Sequence, residues 1–216
     1  MKCLLVDDHA LFREALTMMI EAHHPAVTLL HADHLADALR LIAQTPDLDL
    51  VLLDLSLADS RGLSTLHRTL DSVGEHGSPA RVIVLSGHDQ PETMAAALED
   101  GAAGFISKRA DFDQMEVALR KVMAGGIHVP EGLAGMLTDA PAATLGGAIS
   151  WDLTPRQSEV LEGIVAGWSN KRIAQRLALS ESTVKTHVQA IFDRLGIRTR
   201  TQAVVLAARE GWRRTP

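Results

Sequence analysis

Tyrosine is absent from the 216 residues, cysteine occurs once, and aromatic residues make up 3% of the chain. A single thiol, Cys3, excludes an internal disulfide and a cysteine-based zinc site. So few rings leave little to stack on unpaired bases, which disfavours a reader of RNA or single strands. No uninterrupted apolar stretch approaches twenty residues, so no segment reads as a membrane span. The opening Met1 to Val6 starts like a secretory leader, but Asp7 and Asp8 end the apolar run far too early for one. These absences leave a soluble, cytoplasmic globular protein as the expectation. What is present is ordinary for a packed chain: 46% hydrophobic residues, 22% charged and a mean hydropathy of +0.07, with length for one large or two modest domains.

The net charge of −6 hides an uneven distribution. Residues 1–150 hold 10 Lys and Arg against 21 Asp and Glu, a net −11, whereas 151–216 hold 11 against 6, a net +5. An acidic module joined to a basic one is the natural reading, and basic modules of this size often meet phosphate backbones. A composition break lies between them. From Met123 to Ser150 the chain is rich in Gly, Pro and Ala and poor in charge, as a linker is, with room for a short helix at Glu131–Leu137.

In the acidic half, short apolar runs recur at Cys3–Val6, Val27–Leu30, Leu50–Leu53, Arg81–Leu85 and Gly104–Ile106, each too short for a buried helix. Between and after them lie helical spacings: Leu11, Ala15, Met18 and Met19; Leu35, Ala38, Leu39 and Ile42; Met94, Ala97 and Leu98; Phe112, Met115, Leu119 and Val122. Alternating strands and helices predict an α/β fold, a parallel sheet covered on both faces. In such sheets chemistry collects beyond the carboxyl ends of the strands. Asp7 and Asp8 end the first strand, Asp54 the third and Ser86 the fourth, and Lys108 follows the fifth. Three carboxylates together favour a hard cation with oxygen ligands, with Mg²⁺ the obvious choice. A cation, an ammonium and a hydroxyl around one carboxylate would trap a phosphoryl group by neutralising its oxygens, with Asp54 as nucleophile. Singly, each residue is as readily a turn former, a helix cap or a solvated charge; the joint placement points to function.

Residues 1–122 resemble the receiver domain of two-component response regulators, and Val6-Asp7-Asp8-His9-Ala10-Leu11-Phe12-Arg13-Glu14-Ala15-Leu16 is similar to the opening of the NarL/FixJ subfamily. The resemblance implies a flavodoxin-like, five-stranded parallel sheet of order 2-1-3-4-5. It implies Asp54 as phosphoacceptor, with Asp7, Asp8, Asp54 and the backbone carbonyl of Ser56 as Mg²⁺ ligands. It also implies Ser86 as the switch hydroxyl, Phe105 as the switch aromatic and Lys108 as phosphate partner. Two positions depart from the family: Leu57-Ala58 replace a usual Met-Pro, and Arg109 replaces the proline after the lysine. The loops after the third and fifth strands are therefore expected to differ in shape. Neither change removes a group that the chemistry needs. A phosphatase using Asp54 would want a second carboxylate two residues on, where Ser56 stands. An interaction module that is never phosphorylated remains the other alternative, against which the intact acidic cluster speaks.

In the basic half, Thr154-Pro155-Arg156-Gln157 carries the marks of a capping box with proline at the first helical position. Val160, Leu161, Ile164 and Val165 form that helix's buried stripe. A second helix starts at Ser169 with Ile173, Ala174 and Leu177 inward. A third starts at Ser180 with Val184, Val188, Ile191 and Leu195 inward. The short connection between these two is that of a helix-turn-helix. A fourth runs from about Thr201 to Glu210. The third helix's outward face then holds Glu181, Ser182, Lys185, Thr186, Gln189 and Asp193, and Lys, Thr and Gln all have pairing options on base edges. Residues 153–161, 169–174, 179–188 and 195–203 are similar to the LuxR-type helix-turn-helix. That resemblance implies Lys185, Thr186 and Gln189 as base-reading positions, and Lys171, Thr183, Asn170 and His187 as phosphate or framework contacts, with His187 leaning to framework.

The expectation is thus a receiver at 1–122, a linker at 123–150 and a DNA-binding domain at 151–216. Its implied partners are double-stranded DNA, a sensor histidine kinase and a second copy of the chain.

Overall fold

The computed structural model describes residues 1–87, 89–130, 133, 151–168, 170–197 and 200–209. The expected linker helix at Glu131–Leu137 and the helix start at Ser169 fall outside these residues, apart from Leu133.

The first half alternates strand and helix. β1 (Lys2–Val6), α1 (Ala10–His23), β2 (Thr28–Ala32), α2 (Leu35–Gln44) and β3 (Leu50–Asp54) lead to a two-residue hairpin, β4 (Ser56–Leu57) and β5 (Ser60–Arg61). Then follow α3 (Leu63–Glu75), β6 (Arg81–Ser86), α4 (Pro91–Glu99), β7 (Gly104–Ser107) and α5 (Phe112–Met123). The five long strands form one parallel sheet, β2-β1-β3-β6-β7. This is the expected order with the small hairpin left uncounted. β2 starts one residue later than its apolar run and ends two residues later, because the ladder with β1 carries on through Leu5↔His31 and Val6↔Ala32. On an edge strand the ladder can hold a polar residue that hydropathy would leave out.

Alternation along the strands splits the core in two. Leu4, Val6, Val51, Leu53, Val82, Val84 and Phe105 face α2, α3 and α4, while Cys3, Leu5, Leu50, Leu52, Ile83 and Leu85 face α1 and α5. Both faces are covered, as an all-parallel sheet requires.

The second half is helical: α6 (Pro155–Val165), α7 (Asn170–Leu177), α8 (Glu181–Leu195) and α9 (Arg200–Arg209). Thr154 closes a complete capping box with Gln157, Ser180 caps α8 by accepting from the Thr183 N–H, and Gly196 ends α8 in the left-handed conformation at φ 66°. Val160, Leu161, Ile164, Ile173, Val184 and Ile191 meet in the middle, joined by Phe192. This cluster is continuous with the α2–α4 side of the sheet core. No helix among the described residues is long and apolar enough to cross a membrane.

Candidate functional site

The parallel ladder brings the predicted polar residues to one end of the sheet. Asp54 is the last residue of β3 and Ser86 the last of β6, while Asp7 follows β1 and Lys108 follows β7. Asp7, Asp54 and Ser86 are 0%, 1% and 2% exposed. Carboxylates this deep need compensation. Lys108 supplies part of it: its Nζ donates to Asp54 Oδ2 at 2.7 Å and stands 2.6 Å from Asp7 Oδ2. The ammonium also lies 4.9 Å from the Phe12 ring centroid. Asp54 Oδ1 accepts from the Ser56 N–H at 2.9 Å, and Asp7 Oδ1 accepts from the His9 N–H at 2.8 Å.

This compensation is incomplete. Asp7 Oδ2 and Asp8 Oδ1 are buried oxygens that accept no hydrogen bond of good geometry. Asp7 Oδ2 has the Lys108 ammonium close by but misaligned. Asp7, Asp8, His9 and Asp54 each place a ligand atom within 4.8 Å of the others, a grouping that can hold a metal ion. The donor chemistry, and buried carboxylate oxygens whose hydrogen-bonding capacity is not filled, fit a divalent cation. His9 was not among the sequence candidates. Its signal is its position directly after the acidic pair.

The loops that depart from the expected pattern have their own ties. After Asp54, the β4–β5 hairpin turns through Ala58 and Asp59, and Gly62, between β5 and α3, has a φ of +67° that favours glycine. After Lys108, Arg109 forms an ion pair with Asp89, whose carboxylate also accepts from the Ser107 hydroxyl at 3.3 Å. The loops after β6 and β7 are thereby joined beside the site. Phe105 is fully buried within the core.

On α8, Glu181, Ser182, Lys185, Thr186, Gln189 and Asp193 are all exposed, on the face opposite Val184 and Ile191. Lys185 lies 3.5 Å from Glu181, and the Gln189 amide donates to Asp193 at 2.8 Å. Thr183 is half-buried in the cap, its hydroxyl 2.7 Å from that of Ser180, and His187 is half-buried beside the core stripe. The Asn170 side-chain oxygen accepts from Arg200 Nη1 at 3.5 Å. Arg200 is itself buried, its guanidinium pulled down to about 10 by desolvation and still charged at neutral pH, and it donates to the Trp168 carbonyl. Thr183 and Asn170 thus have side-chain partners within the helical half, whereas Lys185, Thr186 and Gln189 are exposed.

Lys171 is placed differently from the others. Its Nζ sits 3.0 Å from Glu75 and 3.2 Å from Asp71, both on α3, and these two acids raise its pKa. Beside it, Arg172 Nη1 donates to the Ala80 carbonyl at 3.2 Å, and α9 packs on α4. The basic half therefore rests on the two helices that follow Asp54 and Ser86.

The family described as "Response regulator receiver domain" matches residues 3–120, and "Bacterial regulatory proteins, luxR family" matches residues 152–207. The chain belongs to the response regulators with a LuxR-type DNA-binding domain. A glycerol metabolism activator of Pseudomonas putida is 33% identical over 212 residues, covering 95% of this chain and 94% of that protein. The nitrate/nitrite response regulator NarL of Escherichia coli K12 is 32% identical, covering 96% and 94%. Among solved structures, a LuxR-family response regulator from Aurantimonas aligns with a TM-score of 0.55 at 27% identity, covering 62% of this chain and 92% of that one. Such a chain is a transcription regulator built from a receiver and a DNA-binding domain.

Proposed function

We propose that Asp54 is phosphorylated, and that this controls sequence-specific DNA binding by 151–216. The observation that carries the reading is Lys108 Nζ held between two buried carboxylates, Asp7 and Asp54, at the carboxyl ends of the strands. An Asp54 oxygen attacks phosphorus and forms an O–P bond. The bond from phosphorus to the donor, a histidine nitrogen of a sensor kinase or the carboxylate oxygen of a small acyl phosphate, breaks with its electron pair going to the donor. Lys108 remains to pair with an equatorial oxygen of the product, and the Ser56 N–H holds the Asp54 carboxylate in place. Asp7, Asp8, Asp54 and the Ser56 carbonyl would hold Mg²⁺, which when bound neutralises phosphoryl charge. Ser86, at the end of β6, is the hydroxyl that would turn to the new phosphate. Phe105, already inside, would keep that position in the phosphorylated form.

The coupling to DNA runs through α3 and α4. Each begins beside the site, and α3 ends on Lys171. Held there, the phosphate-contacting Lys171 is tied up in ion pairs with Asp71 and Glu75 and α9, the family's usual dimer surface, is occupied by α4. Release frees both. A dimer then engages two half-sites with Lys185, Thr186 and Gln189 on base edges, and both the affinity and the spacing of the sites follow from that pairing.

Incubation with acetyl phosphate and Mg²⁺, followed by intact mass measurement, is expected to add one phosphoryl group to the wild type and none to Asp54→Ala. An unmodified wild type, or an adduct on the variant, overturns the reading. For DNA, Lys185→Ala is expected to lose discrimination between promoter and unrelated duplex; retained discrimination moves the reading face elsewhere.

A further inference from the structure

We propose that His9 is a ligand of the divalent ion, so that the centre selects first-row transition ions such as Co²⁺ over Mg²⁺; this rests on the reading of the acidic cluster as a metal centre. His9 Nδ1 lies 2.8 Å from Asp8 Oδ1, 3.3 Å from Asp7 Oδ1 and 3.7 Å from Asp54 Oδ2. Neighbouring donors on a six-coordinate ion with bonds of about 2.1 Å stand roughly 3 Å apart. The first two separations straddle that value, so the ring nitrogen is spaced from both carboxylates as one ligand is from the next. Asp8 Oδ1, the oxygen it approaches most closely, is one of the two buried oxygens with no hydrogen bond.

Among the described residues the ring's polar contacts are with these carboxylates. Its side chain is 64% exposed, and it caps α1 without a side-chain hydrogen bond. Its backbone is nevertheless anchored, because the His9 N–H donates to Asp7 Oδ1. The anchoring limits how far the ring can stray from the carboxylates. The ring also borders a cavity of about 430 Å³ with Asp8, Ser56 and Arg61, wide enough to admit an ion from solvent.

Ligand type decides selectivity here. Oxygen-only sites suit Mg²⁺, whereas imidazole nitrogen favours the later first-row ions. A carboxylate set with one imidazole therefore binds Co²⁺ more tightly, while Mg²⁺, which keeps its waters, gains nothing from the ring.

The test uses the full-length, metal-free protein titrated with Co²⁺ or Mg²⁺ in a calorimeter, with the visible absorption of bound Co²⁺ as a second readout. His9→Ala and His9→Asn are expected to weaken Co²⁺ binding by about tenfold or more, to shift the Co²⁺ band, and to leave Mg²⁺ affinity within about twofold. Equal losses for both ions, or an unchanged Co²⁺ affinity and spectrum, overturn the role of His9 while leaving the acidic centre standing. Asp8→Ala separates the two readings, since it is expected to abolish the Co²⁺ site. Co²⁺ binding that survives Asp8→Ala, or a wild type that binds neither ion, overturns the metal centre itself and the role of His9 with it.

Discussion

Replacing Asp71 by Asn and Glu75 by Gln together removes both acids that face Lys171. The pairs measure 3.2 and 3.0 Å, and the side chains remain 37% exposed for Lys171 and 58% for each acid. Pairs so open to water contribute about 0.2–1 kcal/mol each, so together they favour the docked arrangement by roughly 0.4–2 kcal/mol. That corresponds to a factor of about 2 to 30 in the ratio of docked to released protein. If docking excludes DNA, the apparent dissociation constant of the unphosphorylated protein falls by up to the same factor. The assay is fluorescence anisotropy with a labelled duplex of mixed sequence, about 30 base pairs long, at one fixed low salt, because salt alone weakens phosphate contacts. Lys171→Ala provides the contrast: it breaks the same pairs but also removes a phosphate contact, so it binds less tightly than the double variant. Unchanged or weaker binding by Asp71→Asn/Glu75→Gln refutes the idea that these pairs restrain the DNA-binding half. The Arg172 bond to the Ala80 carbonyl and the α9–α4 contact are untouched by the double variant, so docking is expected to weaken rather than vanish.

Three further outcomes are expected. In Gly163→Ala a new Cβ would meet Ile173 at 2.7 Å and Trp168 at 3.1 Å, so overpacking of about 1–3 kcal/mol outweighs the better helix propensity and thermal unfolding comes earlier; a raised midpoint contradicts this. Burial, with Lys121 nearby, pulls His128 down to about 4 from an unfolded value near 6.5, so its contribution is complete above pH 6.5 and is lost as pH falls toward 4. His128→Gln is expected to show a smaller fall in urea midpoint between pH 7 and pH 4.5 than the wild type, and identical slopes argue against it. Cys3 is buried and its thiol is pushed up to about 12, so alkylation by iodoacetamide is expected only after unfolding; rapid labelling of the native protein at neutral pH refutes it.

Much of the fold was legible in the sequence because it depends on local signals. The five apolar runs became the five sheet strands, and Thr154 and Ser180 became helix caps, Thr154 with the expected partner Gln157. The β4–β5 hairpin was not legible, since two-residue strands carry no periodicity. Phe192 joined the core beside Ile191 because α8 is covered on a face wider than a strict four-three stripe. The buried guanidiniums of Arg172 and Arg200 ran against the usual exposure of arginine. Each is accommodated by carbonyl oxygens from other segments, which no local pattern announces.

By itself, the sequence determined which residues could do chemistry. Acidic residues at strand ends, a lysine after the last strand and a polar helix face are properties of order and spacing along the chain, set by the two-residue period of strands and the 3.6-residue period of helices. Only the tertiary structure decided which of them meet. Lys108 lies between Asp7 and Asp54 because parallel pairing puts the carboxyl ends of the neighbours β1 and β3, and of β7 beyond β6, at one edge of the sheet. His9 comes against three carboxylates because α1 starts where β1 stops. Lys171, equally basic on paper, faces α3 because the helical half packs onto the sheet's covering helices. A charge's partner is fixed by distance in space, over contacts about a hundred residues apart, and such distances are set by the packing of whole elements.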